Sequence, residues 1–193
     1  MRTGLYERKT NETDVKVKLT LEKQGPIRIN TGIGFFDHML ELFAFRAGIA
    51  LEVECQGDLH VDGHHTVEDV GICIGRAIAE ALGDKVGVAR YGTAWLPMDE
   101  SLAYAALDIS GRGFLVLNAA FPSQTVGGFE TELAEEFFRA LAHNAGITLH
   151  INLMYGSNTH HIIEAMFKAL GCALKQATCK TGTDTVSSTK GVL

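Results

Sequence analysis

The stretches His64-His65-Thr66-Val67-Glu68 and His160-His161-Ile162-Ile163-Glu164 repeat one pattern, and each opens a segment with helical apolar spacing. Consecutive residues of a helix point about 100° apart, whereas residues three or four apart share a face. The first histidine of each copy therefore faces the glutamate four residues on, and the second histidine faces elsewhere. Two such helices predict two metal sites with imidazole and carboxylate ligands, a donor set that favours Mn, Fe, Co or Zn.

The composition is typical of a globular protein with a substantial core. The chain has 193 residues, of which 46% are hydrophobic and 21% charged, and its formal net charge is −6. This charge argues against nucleic acid as a partner, and no segment approaches the length of a membrane span. The cysteines Cys55, Cys73, Cys172 and Cys179 form no C-x-x-C pair. Free thiols in a reducing compartment, and hence a cytoplasmic location, are expected.

The hydrophobic periods predict an alternation of strands and helices. Apolar residues alternate with polar ones from Val15 to Leu21, which indicates a half-buried strand. A helix from Phe35 to Arg46 is expected to end at Gly48. The other predicted elements are strands at Ile27–Ile29, Ile49–Cys55, Leu102–Ile109, Phe114–Phe121 and Thr148–Leu153, and helices at 64–82, Thr131–Asn144 and His160–Thr178.

The order of these elements repeats within the chain. His160 follows His64 by 96 residues (160 − 64), and Gly146 follows Gly48 by 98 (146 − 48). We therefore predict an α+β fold of internally duplicated half-domains, each a mixed β-sheet backed by two α-helices and related by a pseudo-twofold. The predicted divisions are a first half over 1–88, a second half over 89–180 and a substrate-binding tail over 181–193, all in one compact unit.

The repeat also selects the remaining metal-ligand candidates. His38 lies on the predicted helix that precedes the first histidine pair, and the position 98 residues later is Glu136 rather than His143. We therefore expect His38 and Glu136 to complete the two ligand sets, with His143 as a bystander. His60 and His150 are interpreted as a loop residue and a packed strand residue.

A few cations could bind an anionic substrate. Arg90, Arg112, Lys168 and Lys190 are candidates, although each alone is more often a solvated surface charge. The composition of the tail after Thr181 is typical of a disordered segment. Its stretch from Ser187 to Gly191 nevertheless offers hydroxyls and backbone amides that suit an oxyanion.

With these motifs in place, the chain resembles the imidazoleglycerol-phosphate dehydratase family along its whole length. The similarity rests above all on the two His-His motifs in their order. The stretches that carry it are 8–13, 34–40, 62–69, 97–100, 110–113, 156–168 and 188–191.

The resemblance implies a set of site residues and a cofactor. It implies two Mn²⁺ ions per active site, with ligands at His38, His64, His65, Glu68, Glu136, His160, His161 and Glu164. Many members of the family have histidine where this chain has Glu136, and a glutamine where it has Leu42. The resemblance further implies a catalytic role for Glu12 and substrate binding by Arg90, Arg112, Lys168, Ser188 and Lys190. It also implies a homo-oligomer of about twenty-four chains built of trimers, with sites at subunit interfaces.

The implied reaction is a hydro-lyase step of L-histidine biosynthesis. D-erythro-imidazole glycerol phosphate loses water to give imidazole acetol phosphate, by way of an imidazolate held by two metals. Glu12 and Glu164 are the candidates for acid–base roles. Glu12 is the more testable of the two, because Glu164 is also expected to bind metal.

Two other functions fit parts of the pattern. A dinuclear metal phosphoester hydrolase would also use two metals beside basic residues. A metal-binding or metal-storage assembly would use the histidines only to join subunits, and it would leave the cations and the tail without a role.

Overall fold

The chain forms two four-stranded β-sheets and four α-helices in a computed structural model that describes residues 1–22 and 25–193. The helices are α1 (Gly34–Ala47), α2 (His64–Leu82), α3 (Leu133–Ala145) and α4 (Thr159–Thr178). The strands are β1 (Thr3–Lys9), β2 (Thr13–Thr20), β3 (Ile27–Asn30), β4 (Ala50–Gly57), β5 (Tyr91–Met98), β6 (Ser101–Asp108), β7 (Phe114–Asn118), β8 (Thr125–Val126), β9 (Phe129–Glu130) and β10 (Thr148–Tyr155). Strands β8 and β9 form a short separate hairpin.

The two large sheets have the same topology. Their strand orders are β1-β2-β4-β3 and β5-β6-β10-β7. In each sheet the last strand pairs in parallel and the others pair antiparallel. In β2 the apolar residues Val15, Val17 and Leu19 are buried while Lys16 and Lys18 are exposed, because successive side chains of a strand face opposite sides of the sheet.

The duplication predicted from the sequence is confirmed by these elements. Strand β6 begins 88 residues after β2 (101 − 13), and β10 begins 98 residues after β4 (148 − 50). Helices α1 and α3 both end at a glycine in the left-handed conformation, Gly48 with φ 67° and Gly146 with φ 64°. A residue with a Cβ is strained there, which explains why both helices stop at glycine.

Each helix of one half packs on a helix of the other half. Helix α2 contacts α3, and α4 contacts α1. The backbones approach closely: a Cβ atom at Gly75 would lie 2.7 Å from the carbonyl oxygen of Leu141, and one at Gly171 would lie 2.6 Å from that of Phe43. Buried residues of both halves accordingly form one hydrophobic core. The two halves share this core and do not form separate globular units.

The beginnings of the four helices meet at one end of the molecule. The rings of Phe35 and His160, at the starts of α1 and α4, have centroids 5.1 Å apart. A Cβ atom at Gly63, just before α2, would lie 3.1 Å from Leu133 and 3.2 Å from Ile33. Both histidine pairs therefore lie at the same end of the helical layer, which we call the histidine end.

Several parts of the chain differ from the prediction: strands β1, β5, β8 and β9 were not predicted, β7 ends at Asn118 and not at Phe121, and the tail is packed against the rest of the protein. Strand β1 was not predicted, because most of its residues from Thr3 to Lys9 are exposed and polar at a sheet edge. The tail packs against the loop before β5: Gly87 N donates to Thr185 O at 3.0 Å, and Lys85 Nζ donates to Leu193 O at 3.2 Å. No helix among the described residues has both the length and the apolar character needed to cross a membrane.

Substituting Gly171→Ala is expected to destabilise the protein by about 1–3 kcal/mol, because the new methyl group would overlap the α1 backbone. The change in unfolding midpoint in urea measures this effect. Gly34→Ala is the matched control, since a Cβ atom there meets nothing within 4 Å. Equal midpoints for the two variants would contradict the close contact between α4 and α1.

Candidate functional site

Three side chains at the histidine end form a cluster that could hold a metal ion. His38 of α1 and His160 and Glu164 of α4 offer ligand atoms that all lie within 4.8 Å of one another. His160 Nε2 is 3.2 Å from Glu164 Oε2, and His38 Nε2 is 4.0 Å from the same oxygen. Imidazole and carboxylate donors at this spacing suit a first-row divalent ion.

Glu164 is the buried member of this cluster. Its side chain is 8% exposed, and its Oε1 atom pairs with Lys168 Nζ one turn further along α4. Burial alone would raise the pKa of Glu164, but the hydrogen bond and positive charge of Lys168, together with His160, lower the pKa below its usual value. Glu164 is thus held as a carboxylate, and Lys168 lies beside the cluster.

His161 faces away from His160, as the helical spacing requires. The two rings have centroids 6.1 Å apart and an interplanar angle of 77°. His161 Nδ1 is 2.7 Å from Glu100 Oε2, in the β5–β6 turn, and its Nε2 is 3.8 Å from Asp99 Oδ2. The hydrogen bond to Glu100 raises the pKa of His161, and that bond, with the Asn158 N–H, lowers the pKa of Glu100.

His65 has a comparable environment in the first half. Its Nδ1 lies 3.0 Å from Asp58 Oδ2, in the loop after β4, and this hydrogen bond raises the pKa of His65. Its Nε2 lies 3.7 Å from Glu12 Oε1, in the β1–β2 turn. The second histidine of each pair thus has a carboxylate at each ring nitrogen. Neither Asp58 nor Glu100 was predicted to have a role, although Glu100 follows Glu12 by 88 residues (100 − 12), as β6 follows β2.

The structure does not bring His64, Glu68 and Glu136 together in the same way. Glu136 Oε1 accepts a hydrogen bond from Arg139 at 2.5 Å. Across residues 1–22 and 25–193, the cluster with His38 is the one group of three candidate ligands at metal-binding distance. His143 lies near the far end of α3, and His60 and His150 are exposed on a turn and on β10.

A buried carboxylate fixes the turn that carries Glu12. Asp69 of α2 accepts hydrogen bonds from Arg8 Nε at 2.8 Å and from Thr13 Oγ1 at 2.5 Å. The Glu12 carbonyl oxygen also accepts from Asp58 N at 3.1 Å. The Glu12 side chain is 54% exposed. The backbone of Glu12 is therefore held while its carboxylate faces solvent at the histidine end.

Apart from Lys168, the predicted substrate-binding cations lie elsewhere. Arg90 donates to Asp108 Oδ1 and to Ser187 O, both at 2.8 Å, which places it beside Ser188. The Arg90 backbone is in the left-handed region, with φ 76°. Arg112 lies in the loop after β6, and a Cβ atom at the neighbouring Gly111 would be 3.0 Å from Leu193. Arg112 and the tail that carries Ser188 and Lys190 thus lie near Arg90, in a region we call the cation end.

The cation end and the histidine end are opposite ends of the molecule. Arg90 precedes β5, whereas Glu100 follows it, and eight strand residues span about 23 Å. Helix α4 gives a similar length: Arg90 N donates to Ala177 O, and Ala177 comes 17 residues after His160, which is a rise of about 25 Å. One chain alone therefore cannot bring its cation end to its own histidines.

Comparisons with known proteins agree on one family. The family model described as imidazoleglycerol-phosphate dehydratase matches residues 31–174. A protein of that description from Pelotomaculum thermopropionicum is 57% identical over 100% of this chain and 98% of its own length, and one from Streptococcus mutans is 54% identical over the full length of both. The Staphylococcus aureus imidazoleglycerol-phosphate dehydratase structure has a TM-score of 0.84 and 46% identity, covering 92% of this chain and 99% of that one. The Pyrococcus furiosus structure, in complex with (S)-C348, has a TM-score of 0.85 and 38% identity, covering 97% and 100%.

Replacing Asp69 by asparagine is expected to lower the free energy of unfolding by roughly 1–3 kcal/mol, because one amide oxygen cannot serve both Arg8 and Thr13 at a buried position. Urea denaturation measures the change. Asp14→Asn removes an exposed partner of Lys9 and should leave stability nearly unchanged. A loss for Asp14→Asn as large as that for Asp69→Asn would refute the anchoring role.

Proposed function

The chain belongs to the imidazoleglycerol-phosphate dehydratase family, and from this premise we propose how its residues carry out the reaction. It dehydrates imidazole glycerol phosphate to imidazole acetol phosphate, a step of histidine biosynthesis. The observation that carries the proposed mechanism is the cluster of His38, His160 and Glu164 at the start of the second repeated helix.

The proposed cofactor is a pair of Mn²⁺ ions in each active site. The donor set of the cluster around Glu164 fits such ions, because imidazole and carboxylate groups converge there without a thiolate. The proposed ligands are His38, His64, His65, Glu68, Glu136, His160, His161 and Glu164. Bound Mn²⁺ would supply Lewis-acid polarisation of the substrate's imidazole ring.

Glu12 is the proposed proton-transfer group. In the described part of the chain its carboxylate oxygens accept no hydrogen bond, and they lie at the surface beside His65. Glu164, the other candidate, is buried and paired with Lys168. The hydroxyl leaves from the carbon next to the ring, and Glu12 removes the proton from the following carbon. The hydroxide and this proton together account for the water that is lost. The resulting enol then becomes the ketone, so that the overall loss is one molecule of water.

The substrate phosphate is proposed to bind at a cation end supplied by another copy of the chain. Arg90, Arg112, Ser188 and Lys190 lie some 20 Å or more from the histidines of their own chain. Lys168, which is beside Glu164, is proposed to contact the substrate from the histidine side. A homo-oligomer of about twenty-four chains built of trimers, with sites at its interfaces, would satisfy both requirements.

The proposed organisation of the chain follows from the same premise. We divide it into half-domains over 1–88 and 89–180 and a substrate-binding tail over 181–193. The contacts of the tail with Arg90 support its role in substrate binding. A cytoplasmic location is proposed because the four cysteines are all unpaired.

Glu12→Gln is expected to keep the bound metals but to lower kcat at least about 100-fold, because an amide cannot accept the proton. Formation of imidazole acetol phosphate with added Mn²⁺ measures turnover, and elemental analysis of the dialysed protein measures metal content. Glu7→Gln, which removes another exposed carboxylate near the same turn, is the control. Unchanged turnover in Glu12→Gln would remove this residue from the mechanism.

Mixed oligomers test whether sites are shared between chains. His38→Ala damages the histidine end and Arg112→Ala damages the cation end, so each variant alone should be inactive. Co-expression should restore about a quarter of the sites, because each half of a shared site is intact in half of the chains. The measurement is activity per chain in purified mixed oligomers of confirmed size. No activity beyond that of the separate variants would place each site within one chain.

A further inference from the structure

The two repeats hold their second histidine by carboxylates from different places. His65 Nδ1 is held by Asp58, in the loop after β4. The position equivalent to Asp58 in the second repeat is Gly156, 98 residues later (156 − 58). A Cβ atom at Gly156 would lie 2.4 Å from Ser101 Oγ and 2.9 Å from Ile162, so a side chain there would require these neighbours to move. A carboxylate for His161 has to come from another element.

Glu100 supplies that carboxylate from the β5–β6 turn. Its equivalent in the first repeat is Glu12, the proposed proton-transfer group, whose carboxylate is 3.7 Å from His65 Nε2. Glu100 instead lies 2.7 Å from His161 Nδ1. The two equivalent positions thus have different surroundings: the Glu12 carboxylate accepts no hydrogen bond in the described residues, whereas both carboxylate oxygens of Glu100 accept hydrogen bonds.

The second oxygen of Glu100 fixes the start of α4. Glu100 Oε1 accepts hydrogen bonds from Asn158 N at 2.7 Å and from Ser157 N at 3.1 Å. The Asn158 side chain in turn accepts from the backbone N–H groups of His160 and His161, at 2.9 and 3.3 Å. Through Asn158, Glu100 therefore holds the backbone of both histidines, and through Oε2 it holds the His161 ring.

We propose that Glu100 is a positioning residue that keeps His161 in the tautomer with its proton on Nδ1, so that Nε2 is free to bind metal. A carboxylate only accepts hydrogen bonds, so the Nδ1 atom 2.7 Å from Glu100 must donate. The carboxylate of Asp99 is 3.8 Å from Nε2, which is too far for a hydrogen bond that would hold the proton there instead. This inference rests on the proposed metal-binding function. Glu100 acts through His161 and does not itself bind substrate or metal.

Glu100→Gln and Asp58→Asn form a matched pair of tests. Both replace a carboxylate by an amide beside the second histidine of a pair. In the Glu100→Gln variant the amide oxygen has to stay on the two backbone N–H groups, which leaves its NH₂ facing His161 Nδ1 and favours the wrong tautomer. Among the described residues, the Asp58 side chain has hydrogen bonds only to His65, so the amide of the Asp58→Asn variant can turn its oxygen to the ring.

The readouts are the histidine tautomer and the metal affinity of the assembled full-length protein. Solid-state ¹⁵N NMR of metal-free, histidine-labelled protein, at a pH high enough that the imidazole rings are neutral, should show one ring switching from Nδ1–H to Nε2–H in Glu100→Gln and none in Asp58→Asn. Competition with a chelator should show Mn²⁺ affinity about 10–100-fold weaker in Glu100→Gln and near the wild-type value in Asp58→Asn.

Four outcomes would contradict the inference or the premise on which it rests. A Glu100→Gln protein with unchanged tautomers and unchanged Mn²⁺ affinity overturns the inference. Equal losses in both variants, or a loss in Glu100→Gln without a tautomer switch, also overturn it and indicate a general structural effect. Wild-type protein that binds no Mn²⁺ would instead refute the proposed metal function, and the tautomer spectra would still decide the role of Glu100.

Discussion

The backbone contact of α4 with α1 at Gly171, and of α2 with α3 at Gly75, fixes the positions of all the candidate ligands. A glycine at each crossing lets one helix lie against a carbonyl of the other. As a result, His38 on α1 reaches His160 and Glu164 on α4, although more than 120 residues separate them in the chain. Because each crossing joins a helix of one half to a helix of the other, the candidate metal-binding cluster is built from both halves.

The duplicated halves have the same fold but have diverged in their use of carboxylates. The first half anchors its β1–β2 turn through buried Asp69, and the equivalent position on α4 is Ala165, 96 residues later (165 − 69). In the second half, Glu100 holds the loop before α4. As a result, the two equivalent glutamates have different contacts. The carboxylate of Glu12 faces solvent, while both oxygens of the Glu100 carboxylate accept hydrogen bonds.

The fold and the different orientations of the two histidines in each pair could be predicted from the sequence, because both follow from local periodicity. Helical spacing alone implies that His160 and not His161 meets Glu164, and the constant offsets between repeats revealed the duplication. The roles of Asp58 and Glu100 did not follow, because their contacts depend on how separate loops fold toward the helix starts. The distance between Arg90 and the histidines also depends on the directions in which β5 and α4 run. A short sequence motif does not reveal these directions. The close approach of His38 to Glu164 likewise depends on the crossing at Gly171.

The separation of the two ends has a consequence for how copies of the chain can associate productively. If every site takes its histidines from one chain and its cations from another, a chain acts as a two-ended building block. An open oligomer of such chains has an incomplete active site at each of its two ends, whereas in a closed assembly every site is complete. Closure of the assembly would then set the number of working sites per chain, so that dilution would remove activity before any chain unfolds.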